Sequence, residues 1–388
     1  MLINKQKLLN LFLVISIIIF FFNLFCLNDK VFSDGELYIS ETKNLLEGKS
    51  LSPIQQMFPL KHYLMQGLFT VVPLPIEQFN KLFPLIVMFI CFVFAFLISK
   101  TLFEKNYLPA LIIGFGNYWV LNFFALNYIE SLVTLFLLAY FWFFLSYEKN
   151  IGNELINILG MLAAIFCLLF TKIIGLVLAP FLFLFFLLLI FKHKKKFFIL
   201  SVIPFVFLVF RVLNKNNKSE SIFGMLNTMV NKLVNFFVFS LYSYLIQFGR
   251  IVLLLFYFPP NEIINENIFG VSLAFIKFVF LLMVLPLFLF GCYCVVKSFF
   301  EKELFFKAIG VTCFVTFCLL ITYLVGLSVQ VHCRYVLIVL PLLGFLLFKY
   351  WLEIKEPLIK KVLLWLFGLF GLYGFCYSII STLYHIII

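Results

Sequence analysis

Charge is what this sequence has least of: 12% of its 388 residues are Asp, Glu, Lys or Arg, and only four are His. A soluble domain carries roughly a quarter charged residues, so water is not the solvent that this composition suits. Catalytic signatures are missing as well. There is no Gly-x-x-x-x-Gly-Lys-[Ser/Thr] loop, no Gly-x-Ser-x-Gly elbow and no His-Glu-x-x-His pair, so nucleotide hydrolysis by a P-loop, serine hydrolysis and zinc proteolysis have no footing. No internal repeat or low-complexity linker divides the chain, which reads as one domain over 1–388. The nine cysteines are an odd number and stand mostly inside apolar runs (Cys91, Cys167, Cys292, Cys294, Cys313, Cys318, Cys376). They read as small packing residues, not as a disulfide or zinc framework.

What the sequence does have is apolar length. Hydrophobic residues make up 64% of it, 58 of them Phe, and the mean hydropathy is +1.14. A soluble core of this size cannot bury that much. A membrane-spanning helix needs roughly 20 apolar residues, and about a dozen such stretches follow one another, broken by short polar clusters. They lack the alternation of barrel strands. The expected fold is therefore an all-α membrane protein. The Phe residues serve packing and lipid contact.

The first run, Leu8 to Leu27, follows Lys5 and Lys7 and has no small-residue cleavage site after it, so it reads as a retained helix. Further runs are expected at about 84–103, 108–126, 131–147, 154–171, 173–191 and 197–213, then at 268–296, 305–327, 335–351 and 362–386. The loop Lys192-His193-Lys194-Lys195-Lys196 sets the orientation by the positive-inside bias. Counting back six crossings puts the N-terminus in the cytoplasm and the loop of about 28–60 outside. The basic loop Lys297 to Lys307 lies on the Lys192 side only if one intervening run fails to cross. That run is 236–258, which carries Ser240, Ser243, Gln247 and Arg250 and reads as an interfacial or re-entrant part of an external segment near 214–267. About eleven crossings result. The net charge of +12 is accounted for by these loops, so no nucleic-acid partner is implied.

Ionisable residues at a membrane are costly and each is a functional candidate. The outer side collects Asp34, Glu36, Glu41, Lys61, His62, Glu130, Lys172, Arg250, His332 and Arg334. Ser33-x-x-Glu36 is a capping box and Gly48 a natural stop, predicting a short amphipathic helix on the membrane. Read for structure, its acids are first-turn residues. Read for function, Asp34 and Glu36 are a carboxylate pair, available as a general base or as ligands of a divalent metal ion, the one cofactor in question. Glu130 is either a solvated loop residue or a second acid of the same site. Lys172 and Arg334 are interface anchors or phosphate partners.

The order of these motifs resembles the multi-spanning GT-C glycosyltransferases, in the branch related to protein O-mannosyltransferases and lipid A aminoarabinose transferases. The likeness runs through Asp34-Gly35-Glu36-Leu37-Tyr38 and its helix to Gly48, then Phe58-Pro59-Leu60-Lys61-His62-Tyr63, Glu130, Thr171-Lys172-Ile173-Ile174-Gly175-Leu176 leading to Pro180, and Arg334-Tyr335 leading to Pro341. That resemblance implies sugar transfer from a polyprenyl-phosphate donor on the extracytoplasmic side. Asp34 or Glu36 would be the base and Glu130 a further acid, with Lys172 and Arg334, joined by His332, Lys61 and His62, meeting the donor phosphate. Two features depart from the family: Gly35 separates acids that are usually adjacent, and Glu130 stands where Asp is common. The acceptor, be it glycan, lipid or protein, is not encoded in these motifs. Competing readings are an O-antigen-type polymerase, a flippase or other transporter of polyprenyl-linked glycans, and an inactive scaffold of the same fold. A transporter would favour midplane charges and repeat symmetry, which are not evident.

Overall fold

The computed structural model describes residues 5–26, 33–52, 58–116, 120–121, 129–193, 267–268, 271–327, 338–369 and 371–372. The runs expected at 197–213 and 236–258 lie outside these residues, as do His332 and Arg334, the later part of 108–126 and most of 362–386. Apart from a two-residue antiparallel ladder, β1 (Asn267–Ile268) with β2 (Val271–Ser272), the regular structure described is helical.

The N-terminal helix α1 (Lys5–Cys26) is followed by α2 (Ser33–Leu46), α3 (Leu60–Val71) and α4 (Ile76–Phe103). A 3-10 turn, Glu104–Asn106, leads to α5 (Tyr107–Gly114). The bundle centre is built from α6 (Glu130–Glu148), α7 (Glu154–Leu169) and α8 (Ile173–His193). It is completed by α9 (Leu273–Ser298), α10 (Leu304–Leu327), α11 (Leu340–Glu353) and a last helical run, α12, over 357–369. The apolar segment after Pro59 forms only the 12 residues of α3, about 18 Å of helix, which is too short to cross a bilayer core of about 30 Å.

Among the described residues, three helical runs are long and apolar enough to cross a membrane: Lys81–Gly114, Glu130–Glu148 and Ile174–Lys192. The first is interrupted at its 3-10 turn, where Glu104 adopts a φ of 41°. Beyond that turn the Tyr107 ring of α5 stacks edge-on against Phe96 of α4. Large apolar side chains stand exposed on the outside of the bundle, among them Phe89, Ile156, Leu184, Phe191, Leu289 and Trp365. Such a surface would aggregate in water and suits lipid.

Helix α6 sits at the centre, buried along almost its whole length, against α4, α7, α8 and α10. Its Tyr140 hydroxyl donates to the Leu182 carbonyl of α8 at 2.7 Å, satisfying a polar group that burial would otherwise leave costly. The turn from α6 to α7 is tight: Asn150 takes a φ of 55°, and Asn153 caps α7 by accepting from the Leu155 and Ile156 amides.

The helix ends sort into two polar layers. At one, Lys192 pairs with Glu148 at 3.6 Å, Phe305 packs on Phe141 and Phe144, and Phe348 meets Phe103. There Lys297 reaches Glu353 at 2.6 Å, and Lys349 pairs with Glu301. The positive-inside bias assigns these same loops to one side. At the other layer stand the ends of α3, α6, α7 and α8 with Leu60, Glu130, Phe170 and Lys172.

Candidate functional site

Helix α2 carries the acidic motif. It stops as the sequence predicts: Gly48, at φ 75°, lets the Lys49 amide reach the Asn44 carbonyl at 2.8 Å and the Gly48 amide reach Leu45 at 3.1 Å. This is a Schellman closure, for which a residue without Cβ is the natural choice. Asp34 and Glu36 lie on the helical backbone, while their side chains lie outside the described residues. Two residues apart on a helix, they stand about 200° from one another, which speaks against their chelating one ion as a pair. Among the described residues, no group of three or more His, Cys, Asp and Glu is arranged to hold a metal ion.

The second half of α2 lies on α3. Glu41 and Thr42 are buried, whereas Ser40 and Lys43 are exposed. The Thr42 hydroxyl lies 3.1 Å from Nδ1 of His62 and 3.8 Å from the Met65 sulfur. Glu41 accepts from the Ser52 amide at 2.9 Å. Lys61 and His62 are both fully buried, and the Lys61 ammonium stands 6.0 Å from the centre of the Phe83 ring. Burial pushes the His62 imidazole down to about 4, helped by the neighbouring Lys61 charge and opposed by Glu41. At neutral pH, His62 is therefore uncharged and adds no cation to this end of the bundle.

Glu130 and Lys172 meet. Glu130 opens α6 with 1% of its side chain exposed, and its Oε1 accepts from Lys172, whose side chain is 18% exposed. The first turn of a helix is where a carboxylate gains from the aligned peptide dipoles. Lys172 sits in the short link from α7 to α8, where its carbonyl accepts from Leu176 and Thr171 bonds back to the Cys167 carbonyl. A Cβ at Gly175 would stand 2.4 Å from the Leu168 carbonyl oxygen, so this link closes only around glycine. The Thr-Lys-Ile-Ile-Gly motif is thus a turn that delivers one lysine to one glutamate.

A backbone hydrogen bond joins the two groups. The Leu60 amide donates to the Phe170 carbonyl at 3.2 Å, fixing the start of α3 against the turn that holds Lys172. Of the residues selected from sequence, Lys61, His62, Glu130 and Lys172 are gathered at one end of the bundle. Asp34 and Glu36 belong to a helix seated there, and His332 and Arg334 lie outside the described residues.

Sequence reasoning passed over Thr42, whose one signal is helical phase: it stands three and four residues before Leu45 and Leu46, on the face an amphipathic helix buries. It also passed over the Lys349–Glu301 pairing, which no spacing rule connects. In comparisons with known proteins, no family model and no curated protein matches this chain.

Proposed function

We propose that this protein is an integral membrane glycosyltransferase that moves a sugar from a polyprenyl-phosphate donor to an acceptor glycan, lipid or protein on the extracytoplasmic side. The observation that carries the reading is the pairing of buried Glu130 with partly exposed Lys172 at the same end of the bundle as Lys61 and the acid-bearing helix α2. Acids and cations without a hydrolase or nucleotide motif suit a substrate that already has a phosphate leaving group. About eleven crossings, with the N-terminus in the cytoplasm, is the topology that goes with it.

In this reading Asp34, with Glu36 as the alternative, removes the acceptor hydroxyl proton. The acceptor oxygen attacks the sugar carbon as the carbon–oxygen bond to phosphate breaks, and the lipid phosphate leaves with the electron pair. One displacement inverts the sugar carbon. Lys172, together with Arg334 and Lys61, compensates the charge on the departing phosphate. Glu130 holds Lys172 ready rather than acting as a second base.

The test is transfer by the purified protein in liposomes, with release of free polyprenyl phosphate from labelled donors as the readout. Asp34→Asn should lower turnover by roughly a hundredfold or more, the usual worth of a general base. If Asp34→Asn and Glu36→Gln both leave turnover unchanged, the base is misassigned. Movement of labelled donor lipid across the bilayer without sugar transfer would favour the flippase reading. A cysteine at position 34, and not one at position 194, should react with an impermeant reagent added from outside.

A further inference from the structure

Position 62 holds a fully buried histidine that supplies no charge, and its partner Thr42 is on the helix that bears the acids. We infer that His62 is a positioning residue: its hydrogen bond to Thr42 seats α2 on α3 and thereby fixes which acid of α2 stands on the bundle side, and where. The chemical meaning of this inference rests on the transferase reading; its geometric part does not.

The face of α2 that meets the bundle is marked by Glu41 and Thr42, both buried, and the opposite face by Ser40 and Lys43, both exposed. At about 100° per residue, seven residues amount to nearly two turns. Position 34 therefore shares the face of Glu41, and position 36 shares the face of Lys43. One rigid helix cannot offer both acids to the same side, so the seat of α2 chooses Asp34.

Polar contacts contribute to that seat. Thr42 bonds His62 at 3.1 Å, Glu41 holds the Ser52 amide at 2.9 Å, and Gly48 closes the helix. From His62 the path to the cation is short: Leu60, two residues earlier, is bonded to Phe170, two residues before Lys172. The Thr42–His62 bond thus links the acid-bearing helix to the turn that carries the phosphate partner. A histidine kept only for packing would tolerate any side chain of similar volume. One kept for position needs a polar atom where Nδ1 now lies, which asparagine supplies and phenylalanine does not.

The experiment is amide hydrogen exchange on the whole protein in lipid nanodiscs, run beside the donor-turnover assay. Thr42→Val and His62→Phe should speed exchange over residues 39–46 by about tenfold, the equivalent of one lost hydrogen bond, while protection of α6 stays at the wild-type level and reports an intact bundle. Thr42→Ser and His62→Asn should remain within about twofold of wild type. In turnover, Thr42→Val should lower kcat by about tenfold or more with the KM for donor unchanged, since small misplacement of a reacting group is costly, and Thr42→Ser should recover it. Wild-type protection of α2 in Thr42→Val would overturn the seat. Faster exchange with unchanged kcat would overturn its role in positioning. Absence of transfer by the wild-type protein would instead count against the transferase reading, with the exchange result still deciding the geometry.

Discussion

The two ends of this bundle both carry Lys–Glu pairs, set in different surroundings. At one end Glu130 pairs with Lys172 in the first turn of the central helix, and the glutamate is 1% exposed. At the other, Lys297, Glu301, Lys349 and Glu353 form a partly exposed network joining α9, the turn before α10 and α11, with exposures from 17% at Lys349 to 42% at Glu353. Aromatic rings support this network: Lys349 stands 4.3 Å from the Phe306 ring centre and Lys297 4.6 Å from that of Tyr350, whose hydroxyl donates to Glu301 at 2.9 Å. Exposed pairs are individually weak and are tolerated wherever loops meet headgroups. A buried pair is a poor way to gain stability, since desolvation offsets most of the attraction.

The contrast can be broken or sharpened by mutation, beginning where the effect is largest. Glu130→Gln removes the carboxylate that faces Lys172 and should destabilise the protein by about 3 kcal/mol. Replacing both partners, as in Glu130→Gln with Lys172→Met, should restore much of that loss in thermal unfolding in detergent while leaving transfer abolished. A double mutant as unstable as the single one would mean that the two residues act independently.

Next comes the pH response of the His62 end. Its imidazole is neutral in the folded protein down to about 4, whereas an unfolded chain protonates near 6.5. Unfolding therefore takes up a proton between those values, and stability should fall as pH drops from about 6.5 to 4, by at most about 1.4 kcal/mol per unit. The melting-temperature profile of His62→Asn should be flatter over that window.

A smaller effect is expected at the lysine-rich end. Lys349→Met removes the pairs with Glu301 and Glu353 and should cost about 1 kcal/mol or less, an effect that shrinks in high salt. Smallest is the acid response of the same network. Burial pushes the Glu301 carboxyl up, but the hydrogen bonds from Lys349 and Tyr350 and the charges of Lys349 and Lys297 outweigh it and hold it below the usual carboxylate range. Its contribution is present above the unfolded carboxylate value, near 4.3, and is lost as pH falls through the lowered folded value. The melting-temperature difference between wild type and Glu301→Gln should thus stay constant from pH 7 to about 5 and vanish only in stronger acid. The two ends would then be told apart by pH alone.

Much of this was legible before any coordinates. The run 131–147 is a helix from Glu130 to Glu148, and 173–191 one from Ile173 to His193, because long apolar segments in lipid have no other way to satisfy their backbone. The short amphipathic helix with its stop at Gly48 was legible from capping and phase. The sharing of one end by the loops near 148, 192, 297–307 and 353 followed from basic residues alone. What stayed hidden were partners far apart in sequence: Glu130 with Lys172, 42 residues on, and Lys349 with Glu301, 48 residues back.

Hydropathy, caps and basic-loop spacing are local properties, read along a few turns of chain, and they were enough to specify a helical, lipid-adapted protein. Packing in three dimensions sets the rest: Glu130 closes on Lys172, Lys61 and His62 are buried, and the face of α2 bearing Glu41 and Thr42 lies against α3. Those choices depend on how helices rotate against one another. Rotation is set by close packing, such as the approach of Gly175 to the Leu168 carbonyl, and by the need of each buried polar atom for a partner.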